Sequence, residues 1–157
     1  MIGYYEITTK LKDALLAEPF CNDVTKGSID RIGIGKQQIY PLSHIVINSA
    51  TPEKNMIRWN VTIIAMDIVD ISKTETTDNF IGNDNEDDIL NEQSNLLFRI
   101  NARLERGDLF SEKYQISGVA TLEPFYDRFE DFVAGWVMTF DVVADRKSTR
   151  LNSSHRL

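Results

Sequence analysis

The sequence predicts an α+β domain with one antiparallel sheet, which contains a long β-hairpin and is flanked by two helices. Two segments repeat apolar residues at helical spacing, and four others alternate apolar with polar side chains as strands do. Loops and turn residues separate consecutive strands, which favours antiparallel pairing. These observations predict the order helix, short strand, hairpin, helix, strand, strand.

The first helix is predicted over Tyr4–Glu18, where apolar residues recur on one face and Pro19 ends the pattern. A short extended piece, Phe20–Lys26, and a glycine-rich loop, Gly27–Gly35, follow it. The run Gly33-Ile34-Gly35-Lys36 lacks the four-residue gap and the following Ser or Thr of a phosphate-binding loop. No nucleotide or other cofactor is therefore predicted.

The long β-hairpin is predicted from Ser43–Ala50 and Met56–Val69, joined by the turn residues Thr51–Asn55. The second strand alternates, with one face made of Ile57, Trp59, Val61, Ile63 and Ala65 and the other of Arg58, Asn60, Thr62, Ile64 and Met66. Residues 63–66 are apolar on both faces of the strand. We therefore expect both faces to be covered at this end. The hairpin either projects to pair with another subunit or lies inside its own sheet.

The second helix follows a polar loop, Asp70–Gly82. Its buried face is predicted to comprise Ile89, Gln93, Leu96, Leu97, Ile100 and Leu104. Acidic residues at its start, arginines in its last turns and Gly107 after them match helix polarity. Two strands complete the domain, Lys113–Leu122 and Val133–Val143, with an aromatic-rich connector, Glu123–Phe129, between them.

The last residues differ in origin from the rest of the chain. Residues 145–155, Asp-Arg-Lys-Ser-Thr-Arg-Leu-Asn-Ser-Ser-His, match letter for letter the translation of a common short-read sequencing adapter. We therefore expect residues 1–144 to form a single natural domain and 145–157 to be a non-native, disordered tail. On this interpretation the natural C-terminus is missing.

The charge balance excludes a basic nucleic-acid module. The chain has 17 Lys and Arg against 24 Asp and Glu, a formal net charge of −7. The tail holds four of those cations and one of those anions, so residues 1–144 carry −10. Such a domain repels DNA phosphates. The lone cysteine, Cys21, permits no intrachain disulfide and indicates a reducing compartment, and no apolar run is long enough for a membrane span.

The acidic cluster of Asp84, Glu86, Asp87 and Asp88 is the candidate metal site, because carboxylate oxygens suit hard cations. It lacks the glycine and the closing glutamate of a calcium loop. The alternative is that these residues stabilise the N-terminus of the second helix, with Asp84 or Asn85 as the cap. His44 is the single histidine of residues 1–144, and we expect it to be structural or exposed to solvent.

Six segments resemble small proteins encoded by marine and gut tailed bacteriophages: residues 38–48, 60–70, 82–91, 106–110, 123–130 and 134–136. The likeness covers nearly all of residues 1–144, and these segments are typical of a sequence family rather than of a catalytic motif. The α+β order is similar to that of tail terminator or tail-completion (neck) proteins. The resemblance implies a non-enzymatic virion protein that forms a ring, usually a hexamer, on the tail tube below the neck.

The resemblance also implies the partners: further copies of the chain, the tail tube and neck proteins, with assembly in the host cytoplasm and no specific nucleic-acid or membrane binding. An acidic lumen lets DNA pass without sticking. We expect the ring contacts in the hairpin 43–70 and the loop 71–83, and the candidate interface residues are Arg58, Trp59, Asn60, Thr62, Asp78 and Phe80. Two alternatives stay open, a metal-dependent enzyme using the acidic cluster and a monomeric phage adaptor protein.

Overall fold

The computed structural model describes residues 3–28, 39–70, 77–82, 84–106, 114–128 and 132–145. In chain order its elements are α1 (Tyr4–Leu16), β1 (Asp23–Lys26), β2 (Leu42–Glu53), β3 (Met56–Ile68), α2 (Glu86–Arg106), β4 (Tyr114–Arg128) and β5 (Val133–Asp145). The α+β class is confirmed. The phosphate-loop-like run at 33–36, Gly107 and residues 146–157 lie outside the described residues.

The sheet is mixed, with strand order β1-β2-β3-β5-β4. The prediction of a purely antiparallel sheet is wrong at one pair, because β1 runs parallel to β2 with Asp23 opposite Leu42 and Lys26 opposite Ile45. The chain between Lys26 and Leu42 is long enough to return to the same end of the sheet, which a parallel neighbour requires. The other three pairings are antiparallel.

β3 is the central strand and has a partner on each side. It pairs with β2 from Met66 opposite Leu42 to Met56 opposite Glu53, and with β5 along its whole length. The turn between β2 and β3 is shorter than expected, since residues 51–53 belong to β2 and only Lys54 and Asn55 lie between the strands. Asn55 adopts φ 68°, a conformation that Asn tolerates better than most residues.

Both helices pack on the same face of the sheet, which we call the covered face. All six residues predicted for the buried face of α2 are buried, as are Ile7, Leu11, Ala14 and Leu15 of α1. They meet the apolar side chains of β3 and β5, among them Trp59, Val61, Ile63, Met138, Phe140 and Val142. Alternation along each strand supplies this layer, because every second side chain points to the same face.

The opposite face, which we call the open face, is apolar only at one end. There Leu42, Ile64, Met66, Phe125 and Val133 form a second, smaller core. The expectation that residues 63–66 are covered twice is confirmed, since Ile63 and Ala65 belong to the covered face, Ile64 and Met66 belong to the second core, and all four are at most 1% exposed.

Two boundaries differ from the sequence expectation. β4 continues through the supposed connector as far as Arg128, with register shifts at Ser117/Thr121 and Phe125/Arg128. The strand includes Pro124, and proline is tolerated in an edge strand such as β4. At its C-terminal end, β5 reaches Asp145, whose backbone lies opposite Met56. The strand therefore extends one residue beyond Ala144, the predicted end of the natural domain.

The start of α2 is fastened to the end of β3 by Asn85. Its side-chain oxygen accepts from the backbone N–H of Asp70 at 2.6 Å, and its side-chain nitrogen donates to the carbonyl oxygen of Ile68 at 3.1 Å. Asn85 is also the residue immediately before α2, and its backbone carbonyl oxygen accepts the first helical hydrogen bond from the N–H of Ile89 at 3.0 Å. The acids Glu86, Asp87 and Asp88 do occupy the first helical turn, where the helix dipole favours negative charge.

Candidate functional site

Polar side chains from four strands form two hydrogen-bonded groups on the open face, beyond the second core, and an ion pair between Arg58 and Asp141 joins the groups. We call this set the polar network, and its members are Asn48 and Glu53 of β2, Arg58, Asn60 and Thr62 of β3, Ser117 of β4, and Thr139 and Asp141 of β5. It spans the sheet from β2 to β4. The arrangement fixes many donors and acceptors at one flat surface.

The centre of the polar network is Asn60. Its Nδ2 donates to Oδ1 of Asp141 at 2.7 Å, and its Oδ1 accepts from Nδ2 of Asn48 at 2.8 Å. The same Asn48 nitrogen donates to Oγ1 of Thr62 at 2.7 Å, and that hydroxyl lies 3.3 Å from Oγ1 of Thr139. The Asn60 amide thus has a defined orientation, because its nitrogen meets an acceptor and its oxygen meets a donor.

Arg58 forms the charged end of the polar network. Its Nε donates to Oε2 of Glu53 at 2.8 Å, and its Nη1 donates to Oγ of Ser117 at 2.8 Å. Nη1 also lies 3.9 Å from Oδ2 of Asp141. The hydrogen bond and the charge of Glu53 raise the pKa of Arg58, so the guanidinium is charged at every accessible pH. Two carboxylates therefore neutralise this one cation.

Strand register brings the polar network together. Asn60 lies directly opposite Asp141, and Thr62 lies opposite Thr139, so side chains of equal polarity meet across β3 and β5. On the other side, the register of β2 shifts between Ile47 and Ser49. The residue at this irregularity is Asn48, and a bulge redirects a side chain in a way that plain alternation does not.

His44 belongs to the opposite end of the open face and is 1% exposed. Its Nδ1 lies 2.6 Å from Oγ1 of Thr25, and its Nε2 lies 3.1 Å from the carbonyl oxygen of Gly27 and 3.2 Å from that of Ser28. Carbonyl oxygens only accept, so Nε2 carries the proton and Nδ1 accepts from Thr25. Burial lowers the pKa of His44, which favours this neutral form. The histidine is structural, one of the two roles expected for it.

Cys21 is buried as well, and its Sγ donates to the carbonyl oxygen of Asp23 at 3.3 Å. Burial raises the pKa of the thiol, which keeps it protonated and unreactive at neutral pH. Both residues therefore serve packing in the α1–β1–β2 region, and neither stands beside the polar network.

Three of the predicted interface residues, Arg58, Asn60 and Thr62, lie side by side in the polar network. Trp59 does not join them, and its prediction as an interface residue is wrong. It shares the covered face with Val61 and Ile63 and is only 7% exposed. Strand alternation requires this separation, because a residue between Arg58 and Asn60 must point to the other face.

Asp78 and Phe80 lie in a compact turn between β3 and α2. Oδ1 of Asp78 accepts from the backbone N–H of Phe80 at 3.0 Å and of Ile81 at 3.3 Å, and its carbonyl oxygen accepts from Gly82 at 2.7 Å. This turn presents Phe80 at 92% and Ile81 at 62% exposure. Two adjacent apolar side chains are thus held in solvent on an ordered turn.

The acidic cluster lies beside the turn. Asp84, Asp87 and Asp88 are exposed and Glu86 is partly buried. Within the described ranges, no three His, Cys, Asp or Glu side chains are grouped in a way that could hold a metal ion. Burial, then the charges of Asp88 and Asp67, raise the pKa of Glu92, so repulsion among carboxylates is felt on this side of α2.

Sequence reasoning missed five members of the polar network, namely Asn48, Glu53, Ser117, Thr139 and Asp141. Asp141 had a usable signal, since alternation in β5 puts it on the face of Thr139. Its partner depends on register between strands that are distant in sequence, and the position of Asn48 depends on a bulge. The local pattern of apolar and polar residues predicts neither the register nor the bulge.

Comparison of this chain with protein-family models and with curated proteins gives no match. In the described part of the chain, neither helix combines the length and the apolar character that a membrane crossing requires. The functional argument therefore starts from the open face, the exposed turn and the charge of the domain.

Proposed function

We propose that this chain is a structural virion protein of a tailed bacteriophage, a ring-forming tail terminator or head–tail joining subunit that acts without catalysis. The observation that carries the proposal is the polar network. Within the described residues both helices pack on the covered face of the sheet, and the open face carries mutually hydrogen-bonded polar groups instead. In a ring, such a face serves as the wall of the lumen.

The electrostatics of the polar network support this role. Its single cation, Arg58, is engaged by Glu53 and Asp141, so the network offers DNA phosphates no free positive charge. Protein side chains bind phosphate mainly through unpaired Lys and Arg. The net charge of −10 over residues 1–144 adds a repulsive field. DNA can pass such a wall without adhering to it.

A monomeric adaptor for another virion protein is the second candidate. The exposed pair Phe80 and Ile81 favours it, because neighbouring apolar side chains in solvent are typical of a contact surface. The two candidates differ in whether the partner is another copy of the same chain. No geometry among the described residues favours a metal-dependent enzyme over either candidate.

Sedimentation velocity from micromolar to millimolar concentration, with negative-stain electron microscopy, tests the proposal. We expect concentration-dependent assembly and ring-shaped particles. A chain that remains monomeric throughout this range and never appears as rings contradicts the ring proposal and favours the adaptor.

A second experiment tests the lumen wall. The double variant E53Q/D141N frees Arg58 from both carboxylates, and we expect its assemblies to retain duplex DNA at low salt several-fold better than wild type. A matched control, N60A, disturbs the network without freeing the cation and should not gain DNA retention. Equal retention by all three proteins argues against an open face that meets DNA.

A further inference from the structure

A groove of about 390 Å³ lies between α1 and β1 on the outer flank of the sheet. Its floor contains Val24 and Ile45, and its rim contains Lys12 and Lys26, with threonines between them. None of the described residues that line it is a carboxylate, although the domain is strongly acidic. Pockets of roughly 300–1,000 Å³ hold drug-sized ligands, so this space accommodates one or two apolar side chains.

One end of the groove combines a cation with aromatic rings. Nζ of Lys26 lies 4.9 Å from the ring centre of Tyr4 and 5.5 Å from that of Tyr5. Tyr5 is 81% exposed, so these rings extend the apolar surface into solvent. In the described part of the chain, neither Lys12 nor Lys26 forms an ion pair. The groove therefore matches a ligand that is apolar at its centre and negative beside it.

The segment 78–88 of the same chain has that character. Its turn holds Phe80 and Ile81 in solvent, and the exposed carboxylates of Asp84, Asp87 and Asp88 follow at once. The segment begins after β3 in the middle of the sheet, whereas the groove flanks β1 at its edge. The two surfaces are different patches, so copies that join through them make a heterologous contact, the kind of contact from which rings are built when the rotation between copies closes.

Joining through strand pairing is disfavoured at the two edges of the sheet. The free part of β2 contains the irregularity at Asn48 and the proline Pro52, and β4 contains Pro124 and two register shifts. Prolines and bulges are devices that block pairing at an edge. Contact through side chains, rather than an extended sheet, is then the available mode.

We infer that the segment 78–88 of one copy docks into the α1–β1 groove of the next, with Phe80 in the groove and Asp87 and Asp88 facing Lys12 and Lys26. This inference rests on the proposed ring function and identifies its interface. Phe80 supplies the buried apolar contact. The carboxylates set direction and specificity, because opposite charges steer the correct pair of patches together.

Charge reversal tests the inference. The variants K12E/K26E and D87K/D88K each place like charges at every interface, so each alone should associate at least about tenfold more weakly than wild type. In an equimolar mixture the two variants can alternate, so that every groove meets a segment of opposite charge. We therefore expect the mixture to regain the wild-type sedimentation profile. Circular dichroism checks that each variant is folded. We expect folding to be retained, because all four substituted side chains are exposed.

Matched controls carry the same charge changes at exposed side chains that belong neither to the groove lining nor to the segment 78–88. K10E/K54E and E105K/E123K alter exposed side chains and should assemble as wild type does. If wild type assembles but either interface variant assembles equally well, or the mixture stays dissociated, the inference is overturned while the ring function stands. If wild type never assembles, the ring function and this interface fall together.

A peptide-binding experiment tests whether the occupant of the groove is a second copy of this chain or a different protein. A fluorescent peptide of residues 77–90 should bind the wild-type chain, and F80S in the peptide or K12E/K26E in the chain should abolish the anisotropy change. An unrelated acidic peptide that binds more tightly than this one would reassign the groove to another protein and overturn the second-copy assignment.

Discussion

The covered face and the open face share β3 and β5 but are held by different interactions. On the covered face, Val61 and Ile63 meet helix side chains and exclude water. On the open face, Asn60 and Thr62 are held by hydrogen bonds to neighbouring strands. Apolar burial contributes more free energy per side chain than an exchangeable hydrogen bond does. The covered face therefore contributes more to the stability of the fold than the polar network does.

The open face contains both the polar network and the second core. Two neighbouring isoleucines, one in each core, test whether the second core is packed as tightly as the core on the covered face. Ile63→Ala and Ile64→Ala should each lower the free energy of unfolding by about 3 kcal/mol, because each leaves a cavity in a packed cluster. Urea denaturation with unchanged m values measures the effect. An Ile64→Ala cost below about 1 kcal/mol would mean that the second core is not packed as a core.

The close contact of β3 and β5 gives the next largest effect. A Cβ at Gly135 would overlap the carbonyl oxygen of Ala65 and lie 2.8 Å from Cα of Met66. Gly135→Ala forces the two strands apart, and we expect a loss of about 2 kcal/mol by the same denaturation assay. Gly3→Ala is the control, since nothing lies within 4 Å of a Cβ there. Equal stability of both variants would contradict the close approach.

The polar network should contribute less. Asn60→Ala removes the hydrogen bonds to Asn48 and Asp141, and because these groups are partly hydrated the expected loss is about 1 kcal/mol. Thr51→Ala, at an exposed position of the same hairpin, should change stability by less than about 0.5 kcal/mol. A loss at Asn60 as large as that at Ile63 would remove the contrast between the two faces.

The smallest effect at neutral pH concerns His44, whose contribution varies with pH. Burial lowers its folded pKa below 6.5, so the unfolded chain binds a proton that the folded chain does not. The stability it contributes is present above pH 6.5 and is lost as pH falls through the folded pKa. Thermal unfolding should therefore show a falling Tm on acidification, with a flatter profile for His44→Gln. Parallel profiles for the two proteins would refute this linkage.

Two carboxyls act in the opposite direction at lower pH. Burial raises the pKa of Asp67 and of Glu92, so the folded state binds protons more readily than the unfolded state there. Stability then rises as pH falls through their raised values. The comparison with His44→Gln isolates the histidine, because both proteins retain these carboxyls.

Local patterning predicted the layers of the fold but not their connections. Alternation assigned the faces of β3, and helical spacing assigned every buried position of α2 except Ser94. The parallel pairing of β1 and the extension of β4 past Pro124 depend on contacts between distant segments. Such contacts are fixed by the whole sheet, and a local window of sequence carries no record of them.

The candidate site divides in the same way. Arg58, Asn60 and Thr62 could be grouped by alternation, and the same rule excludes Trp59. The roles of Asp141 and Asn48 required the register of β5 and the irregularity in β2. The groove at α1 was invisible in the sequence, because Lys12 and Lys26 come together only when β1 lies beside the helix.

The buried thiol of Cys21 makes the N-terminal unit observable. This unit, α1 and β1, joins β2 through the four residue pairs of a short parallel ladder. Because the packing of α1 against the covered face supplies most of the remaining attachment, we expect this unit to open separately from β3 and β5. Since Cys21 reacts only after such opening, its labelling rate under native conditions reports how often the unit lifts away. Assembly through the α1–β1 groove should slow that labelling, so the labelling rate of the Cys21 sulfur reports whether the groove is occupied.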